Sequence, residues 1–253
     1  MPSEKLCILE NMLKHWQDLP PSMQLPEVEP YWRILNARRG QLALKRLFDY
    51  SAAAVLLLVL ALPIVLVALL VKTTSPGPVF YRQERVTTNG KRFRIHKFRT
   101  MVANAERLGT AVTVDTDPRI TAVGKFLRKY RLDELPQLID VLSGDMSFVG
   151  TRPEAVKYVN AYPPEYRATL LLPAGITSEA SIRYKDEAKL LAKADNPDAV
   201  YMQTILPAKM RWNLDSIRNF GFLPEVATMW HTFLAVAGGL PSPGAPPPPP
   251  PPP

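Results

Sequence analysis

Two acids stand side by side at Asp133-Glu134 in a stretch crowded with fixed positive charge. Arg128, Lys129 and Arg131 precede the pair, and Arg152 follows it. Upstream, Lys97 and Arg99 flank Phe98. A carboxylate can attack phosphorus or ligate Mg²⁺. Arginine suits phosphate because its planar fork bonds two oxygens at once. An arbitrary Asp-Glu pair is most often a helix cap with a favourable dipole, and part of the basic surface is a solvated face attracted to anionic lipid. The combination of paired acids and dense cations favours phosphate chemistry. Gly144-Asp145-Met146-Ser147 and Gly150-Thr151-Arg152-Pro153 read as tight turns that return Arg152 toward the pair. The three histidines, His15, His96 and His231, are scattered and suggest no metal cluster.

Local signals place the elements around these residues. Leu132-Asp133-Glu134-Leu135-Pro136 reads as a helix start, with Leu135, Leu138 and Leu142 at helical spacing. Proline fits the first turn, where its missing N–H is not needed. That puts Asp133 near the N-cap, where the helix terminus would favour its ionised form. Asp117-Pro118 reads as a second cap, followed by a short helix over 124–130. Two strand-like runs flank Asn89-Gly90, the second alternating as Arg92-Phe93-Arg94-Ile95-His96. Residues 155–235 read as mainly helical, with breaks at Pro163-Pro164, Pro173-Ala174-Gly175 and Pro207.

The strongest physical signal is Ser51–Val71, SAAAVLLLVLALPIVLVALLV, which contains no charge. Twenty-one helical residues reach about 32 Å, close to the roughly 30 Å hydrocarbon core. A straight span conflicts with the flanks. Residues 31–50 carry Arg33, Arg38, Arg39, Lys45 and Arg46 against Asp49 alone. Residues 72–100 are equally basic, with Glu84 the one acid. Both ends therefore favour the cytoplasmic side. Pro63 near the centre is the expected point of return, which makes a re-entrant hairpin the preferred reading. A buried core helix is the other option, but soluble helices are rarely apolar all round. More than forty mixed residues precede the run, so no secretory leader is expected.

The whole chain has 253 residues, 47% of them hydrophobic, and a formal net charge of +8, which points to an anionic partner or surface. Cys7 is the only cysteine, which excludes an intrachain disulfide and a cysteine-based zinc site. No nucleic-acid motif accompanies the basic residues. The organisation expected is an accessory arm over 1–40 and the membrane segment with its entry over 41–72. A catalytic unit over 73–235 follows, then a tail over 236–253 that ends in a polyproline II run. Leu6, Leu9, Met12 and Leu13 suggest a short helix in the arm.

Several long motifs in order resemble the bacterial sugar transferases, also called monotopic phosphoglycosyl transferases. The resemblance runs from about Leu44 to about Leu234. It is carried by KRLFD (Lys45–Asp49), the apolar run with Pro63, SPGPVFYRQERV (Ser75–Val86) and NGKRFRIHKFRTM (Asn89–Met101). It continues through DPRITAVGKFLRKYRLDELPQL (Asp117–Leu138) and GDMSFVGTRPE (Gly144–Glu154). The resemblance implies a mainly helical α+β fold: a re-entrant membrane hairpin followed by a small cytoplasmic catalytic domain with a β-hairpin and several short helices. It implies a monotopic protein of the bacterial inner membrane, facing the cytoplasm. The implied reaction is Mg²⁺-dependent transfer of a sugar-1-phosphate from a UDP-sugar to polyprenyl (undecaprenyl) phosphate, with release of UMP. Asp133 matches the nucleophile and a metal ligand, Glu134 its partner, and Lys97, Arg128 and Arg152 basic positions of the site. Arg99 joins them as a phosphate-binding candidate. Membrane lipid is an implied partner, nucleic acid is not, and a homodimer is left open. An inactive membrane adaptor of the same fold is the alternative, and a membrane-linked nucleic-acid binder a third. The chain departs from the family pattern at Leu62 (often serine), Thr87 (usually glycine), Asp140 (often asparagine) and Thr151 (often proline).

Overall fold

The computed structural model describes residues 12–105, 117–192 and 194–238. Most of the expected N-terminal helix and the proline run lie outside these residues.

The chain enters through α1 (Glu29–Asn36) and continues into α2 (Arg39–Val59) and α3 (Ala61–Thr74). The last two are bent by 64° at a one-residue break. The break is at Leu60, three residues before Pro63, which sits in the first turn of α3. Proline lacks the N–H that would bond the carbonyl four residues back, and its ring crowds that carbonyl. The residue four back is Val59, the last of α2, so Pro63 accounts for a break one turn upstream of itself. Among the described residues no single helix is long and apolar enough to cross a membrane; the bent pair passes that test only together.

β1 (Phe80–Val86) and β2 (Arg92–Phe98) form the expected antiparallel hairpin, with Phe80 opposite Phe98 and Val86 opposite Arg92. Asn89 and Gly90 adopt positive φ at its tip. Helix α4 (Ala122–Lys129) is capped by Thr121, whose hydroxyl accepts from Gly124 N at 2.9 Å. Asp117 opens a separate turn at Pro118-Arg119: its carboxylate accepts from the backbone N–H and the guanidinium of Arg119. A 3-10 turn at Leu132–Glu134 leads to α5 (Gln137–Leu142).

The two turns read at Gly144 and Gly150 bracket a strand that the sequence hid, β3 (Met146–Val149). It pairs in parallel with β4 (Ala174–Thr177), and α6 (Val156–Asn160) lies between them in sequence. The two backbones meet closely. A Cβ on Gly175 would lie 2.2 Å from the nitrogen and oxygen of Gly150, so only glycine fits. The remaining helices are α7 (Glu179–Arg183), α8 (Glu187–Leu191), α9 (Pro197–Val200), α10 (Leu206–Arg218) and α11 (Phe222–Val236). Pro207 is no break: it lies in the first turn of α10, where proline is tolerated.

Three apolar clusters hold these parts. The largest joins Leu13, Met23, Val28 and Leu35 to Leu171, Met210 and other residues of the C-terminal helices. Residues 12–36 are therefore built into the same core as α10. Tyr31 donates to Glu165 Oε1 at 2.5 Å, and Arg218 bonds Tyr31, which fixes this contact. A second cluster seats Ala53 of α2 on Phe93, Ile95, Leu138 and Val141. A third joins Val71 of α3 to Phe98 and Leu127. The bent pair is thus docked on the hairpin and on both helices that flank the acidic pair.

Lys45, one of the cations that flank the apolar run, is buried. Its Nζ lies 2.6 Å from Glu225 of α11, 3.6 Å from Asp49, and donates to Val149 O of β3 at 3.0 Å. Asp49 in turn accepts from Ser147 Oγ at 2.7 Å. Burial pushes the Glu225 carboxyl up to about 7 despite Lys45 beside it.

Candidate active site

Arg131 decides where the acids point. It ends α4 in the left-handed region, with φ of 56°. For a non-glycine residue this conformation costs on the order of 1 kcal/mol. The reversal carries the 3-10 turn across β2, so that Asp133 and Glu134 are both buried there. No side chain caps this turn, and α5 begins only at Gln137, after Pro136. The expected helix N-terminus at Asp133 is therefore absent: proline sits one residue before α5, and a three-residue turn has no appreciable dipole.

The two carboxylates have different surroundings. Glu134 Oε1 is 2.9 Å from Lys97 Nζ of β2 and is also bonded by Arg152. Arg131 stands 4.0 Å away. Burial works against ionisation of Glu134, but the charges of Arg152, Lys97 and Arg131 outweigh it and hold the carboxyl well below its ordinary range. Asp133 has no such partner: its Oδ1 is buried with no hydrogen bond among the described residues. Burial, then the charge of Glu134, pushes its carboxyl above the ordinary range, against the pull of Lys97, Arg128 and Arg131. Burial lowers Lys97, although Glu134 resists that shift. Arg152 is raised, chiefly by Glu134.

Each basic candidate has a definite place. Arg152 follows β3, where the Gly150 and Gly175 backbones lock the loop. Arg128 donates to Thr100 Oγ1 at 2.8 Å, and its charge falls on Asp133. Arg99 is not with them. The strand ends at Phe98, and the buried Arg99 guanidinium turns away to carbonyls at the end of α3, Ser75 O at 2.6 Å and Val71 O at 3.3 Å, and to Pro78 O in the loop that follows. It closes the C-terminus of the apolar helix pair rather than facing the acids.

Sequence reasoning passed over several residues here. Asp140 accepts from the backbone N–H of His96 at 2.9 Å and pairs with its Nδ1 at 2.6 Å, which fixes β2 beside Lys97. Thr87 is buried; its hydroxyl donates to Asp145 O at 2.6 Å and accepts from Ala174 N at 3.1 Å, joining the hairpin to the parallel pair. A glycine there would make neither bond. The departures at 87 and 140 are thus structural, and no composition signal announces them.

Mg²⁺ is implied by the resemblance, and the donor set is compatible with it. No group of three or more acids, histidines or cysteines able to hold a metal occurs among the described residues. Mg²⁺ commonly takes one or two carboxylates and completes its shell with water and substrate phosphate. The orphaned Asp133 oxygen fits that demand, and Glu134 is already committed to cations.

Comparison with known proteins supplies the context. Residues 40–239 match the model of the family described as bacterial sugar transferase. A Caulobacter vibrioides UDP-glucose:undecaprenyl-phosphate glucose-1-phosphate transferase is 37% identical over 203 residues, covering 78% of this chain and 75% of that protein. An Escherichia coli protein of the same name is 41% identical over 157 residues, covering 60% of this chain and 34% of its own. An Aeromonas hydrophila UDP-N-acetylgalactosamine-undecaprenyl-phosphate N-acetylgalactosaminephosphotransferase is 40% identical over 142 residues, 55% of this chain and 34% of its own. The chain thus spans about a third of the length of the last two. The family match includes the bent apolar pair, the hairpin and the acidic pair with its basic neighbours, and the chain belongs to the bacterial sugar transferase family.

Proposed function

We propose that this chain transfers a sugar-1-phosphate from a UDP-sugar to undecaprenyl phosphate through a covalent intermediate on Asp133. The observation that carries the reading is the division of labour between the acids. Glu134 is held ionised by three cations, whereas Asp133 keeps a buried oxygen without a partner. In the first step an Asp133 oxygen bonds to the donor phosphorus that carries the sugar. The bond from that phosphorus to the bridging oxygen breaks, and UMP leaves. In the second step an oxygen of undecaprenyl phosphate bonds to the same phosphorus, and the acyl-phosphate bond to Asp133 breaks. The carboxylate is restored and the lipid carries a diphosphosugar. Splitting the transfer keeps the two anionic substrates from having to meet in one step. Lys97, Arg128 and Arg152 offset the charge of the diphosphate as it approaches. Mg²⁺, when bound through Asp133 and the phosphates, would supply further charge neutralisation. UMP release from a panel of UDP-sugars with undecaprenyl phosphate and Mg²⁺ tests the reaction. Turnover with at least one sugar is expected; none with any would refute the reading and favour the inactive adaptor.

The bent pair is read as re-entrant. With the bend shared equally, each arm lies about 32° from the bilayer plane. The 14-residue α3 is then about 21 Å long and descends about 11 Å, a third of the hydrocarbon core. Leu58 at the end of α2 and Leu62, Val65 and Leu69 of α3 are exposed, which water disfavours and lipid does not. Helix α11 supports the same surface, because its polarity is inverted. Thr228 and Thr232 bond inward to Glu179 and Thr177, while Leu223, Trp230 and Phe233 face out. Both ends of such an arrangement stay on one side. Reporters fused at residues 1 and 253 are both expected in the cytoplasm, and opposite locations would establish a span instead.

A further inference from the structure

Glu134 is the first of three polar side chains that form a buried row. Four backbone bonds between Arg131 and Ile139 run to the third residue before: Glu134 N to Arg131 O at 3.3 Å, Leu135 N to Leu132 O at 3.3 Å, Leu138 N to Leu135 O at 3.2 Å and Ile139 N to Pro136 O at 3.0 Å; Leu135 and Pro136, between Glu134 and Gln137, keep right-handed helical backbone. Winding of this kind eclipses side chains three residues apart. Glu134 and Gln137 therefore project from one side, and Asp140 follows one turn into α5. Their exposures are 8%, 1% and 2%. The outer two have their partners on β2, since Glu134 holds Lys97 and Asp140 holds His96. Gln137 lies between them, and neither its Oε1 nor its Nε2 has a hydrogen-bond partner among the described residues. A buried amide without partners costs free energy that an apolar side chain of equal length would not.

We infer that Gln137 is a positioning residue for the transfer: when the donor diphosphate draws Lys97 and Arg152 from Glu134, the Gln137 carboxamide donates an Nε2–H to the Glu134 carboxylate and keeps it in place. This inference rests on the reaction proposed above. The cations set the competition. Lys97 and Arg152 bond Glu134 directly, Arg131 stands 4.0 Å off, and Arg128 is directed at Asp133 through its charge. A diphosphate offers the same cations more oxygens, which the arginine fork grips in pairs. Glu134 would then be buried with its two principal donors gone, and the amide one 3-10 turn away is Gln137.

The test uses the full chain in lipid nanodiscs with a UDP-sugar that the wild type turns over. Gln137→Met removes both polar ends at nearly constant volume. It is expected to melt at or above the wild-type temperature, to keep KM for the donor within about twofold, and to lose about ten- to a hundredfold in kcat. Gln137→Glu sets a second carboxylate beside Glu134 and is expected to lose more. Wild-type kcat in Gln137→Met would make the amide a spectator and overturn the inference. Wild-type kcat in Gln137→Glu would show that the oxygen, not the N–H, is the working end, and would overturn it too. So would a lower melting temperature shared by Gln137→Met and Gln137→Leu, which marks a part of the fold. If the wild type turns over no UDP-sugar, the parent reaction fails, and this inference with it. A failure confined to the variants leaves the parent reaction standing.

Discussion

Incubated with a UDP-sugar labelled in the sugar, the wild-type protein is expected to retain label, and Asp133→Asn none. Steady-state transfer by the variant should fall on the order of a thousandfold or more, since removing a covalent nucleophile removes the pathway rather than one contact. The substitution is unusually clean here. Asparagine has nearly the same shape, and the Asp133 oxygen it replaces makes no hydrogen bond among the described residues. The site already resists a second negative charge, because burial and Glu134 both favour the neutral carboxyl. Melting temperature should therefore hold or rise while activity disappears, which separates chemistry from fold. Wild-type kinetics should be ping-pong. A wild type that never carries label in a single turnover, with kinetics requiring both substrates bound together, would rule out the covalent step even if the overall transfer stands.

Arg152→Ala is also expected to lose much of the activity. The guanidinium is the main charge holding Glu134 ionised, and it comes from a loop fixed by two touching backbones. Losing a hydrogen bond to a charged group costs about 1.5–3 kcal/mol, or about ten- to a hundredfold in kcat/KM. Arg152→Lys keeps the charge and loses the planar fork, so it should recover little. Full activity in Arg152→Ala would return this residue to the solvated basic face.

The hairpin was legible because alternation and an Asn-Gly tip are local signals, and β1 and β2 need nothing else to define their register. The acidic pair was legible because its cations crowd it in sequence as well as in space. Most of what failed had non-local causes. Strands β3 and β4 are four residues each and are defined only by one another, so their glycines read as turns. Lys97 and Arg99 look equivalent two residues apart. Yet the strand ends between them, and the carbonyls at the end of α3 claim the second. Lys45 looked like a membrane-flanking charge because its partner lies 180 residues away. The helix start at Asp133 was misplaced because a 3-10 turn and an α-helix share the same polar opening, and Arg131's left-handed backbone carries no compositional mark.

The distance between Lys45 and Glu225 along the chain has a consequence for synthesis. Three neighbouring contacts have the same long reach: Arg38 to Phe220 O, Phe222 N to Gln41, and Arg218 to Tyr31. The part of α2 that leads into the apolar pair is therefore completed by a helix that leaves the ribosome long after α2 itself. Until then a lysine destined for the interior has only Asp49 nearby as a counter-charge, and the outward apolar face of α11 does not yet exist. Contacts of such separation close late because the intervening loop must be ordered first. A nascent chain stopped before residue 222 thus contains both acids and the cations around them, but not the helix that closes over α2. Such a fragment should be a substrate for proteolysis rather than an enzyme of reduced activity.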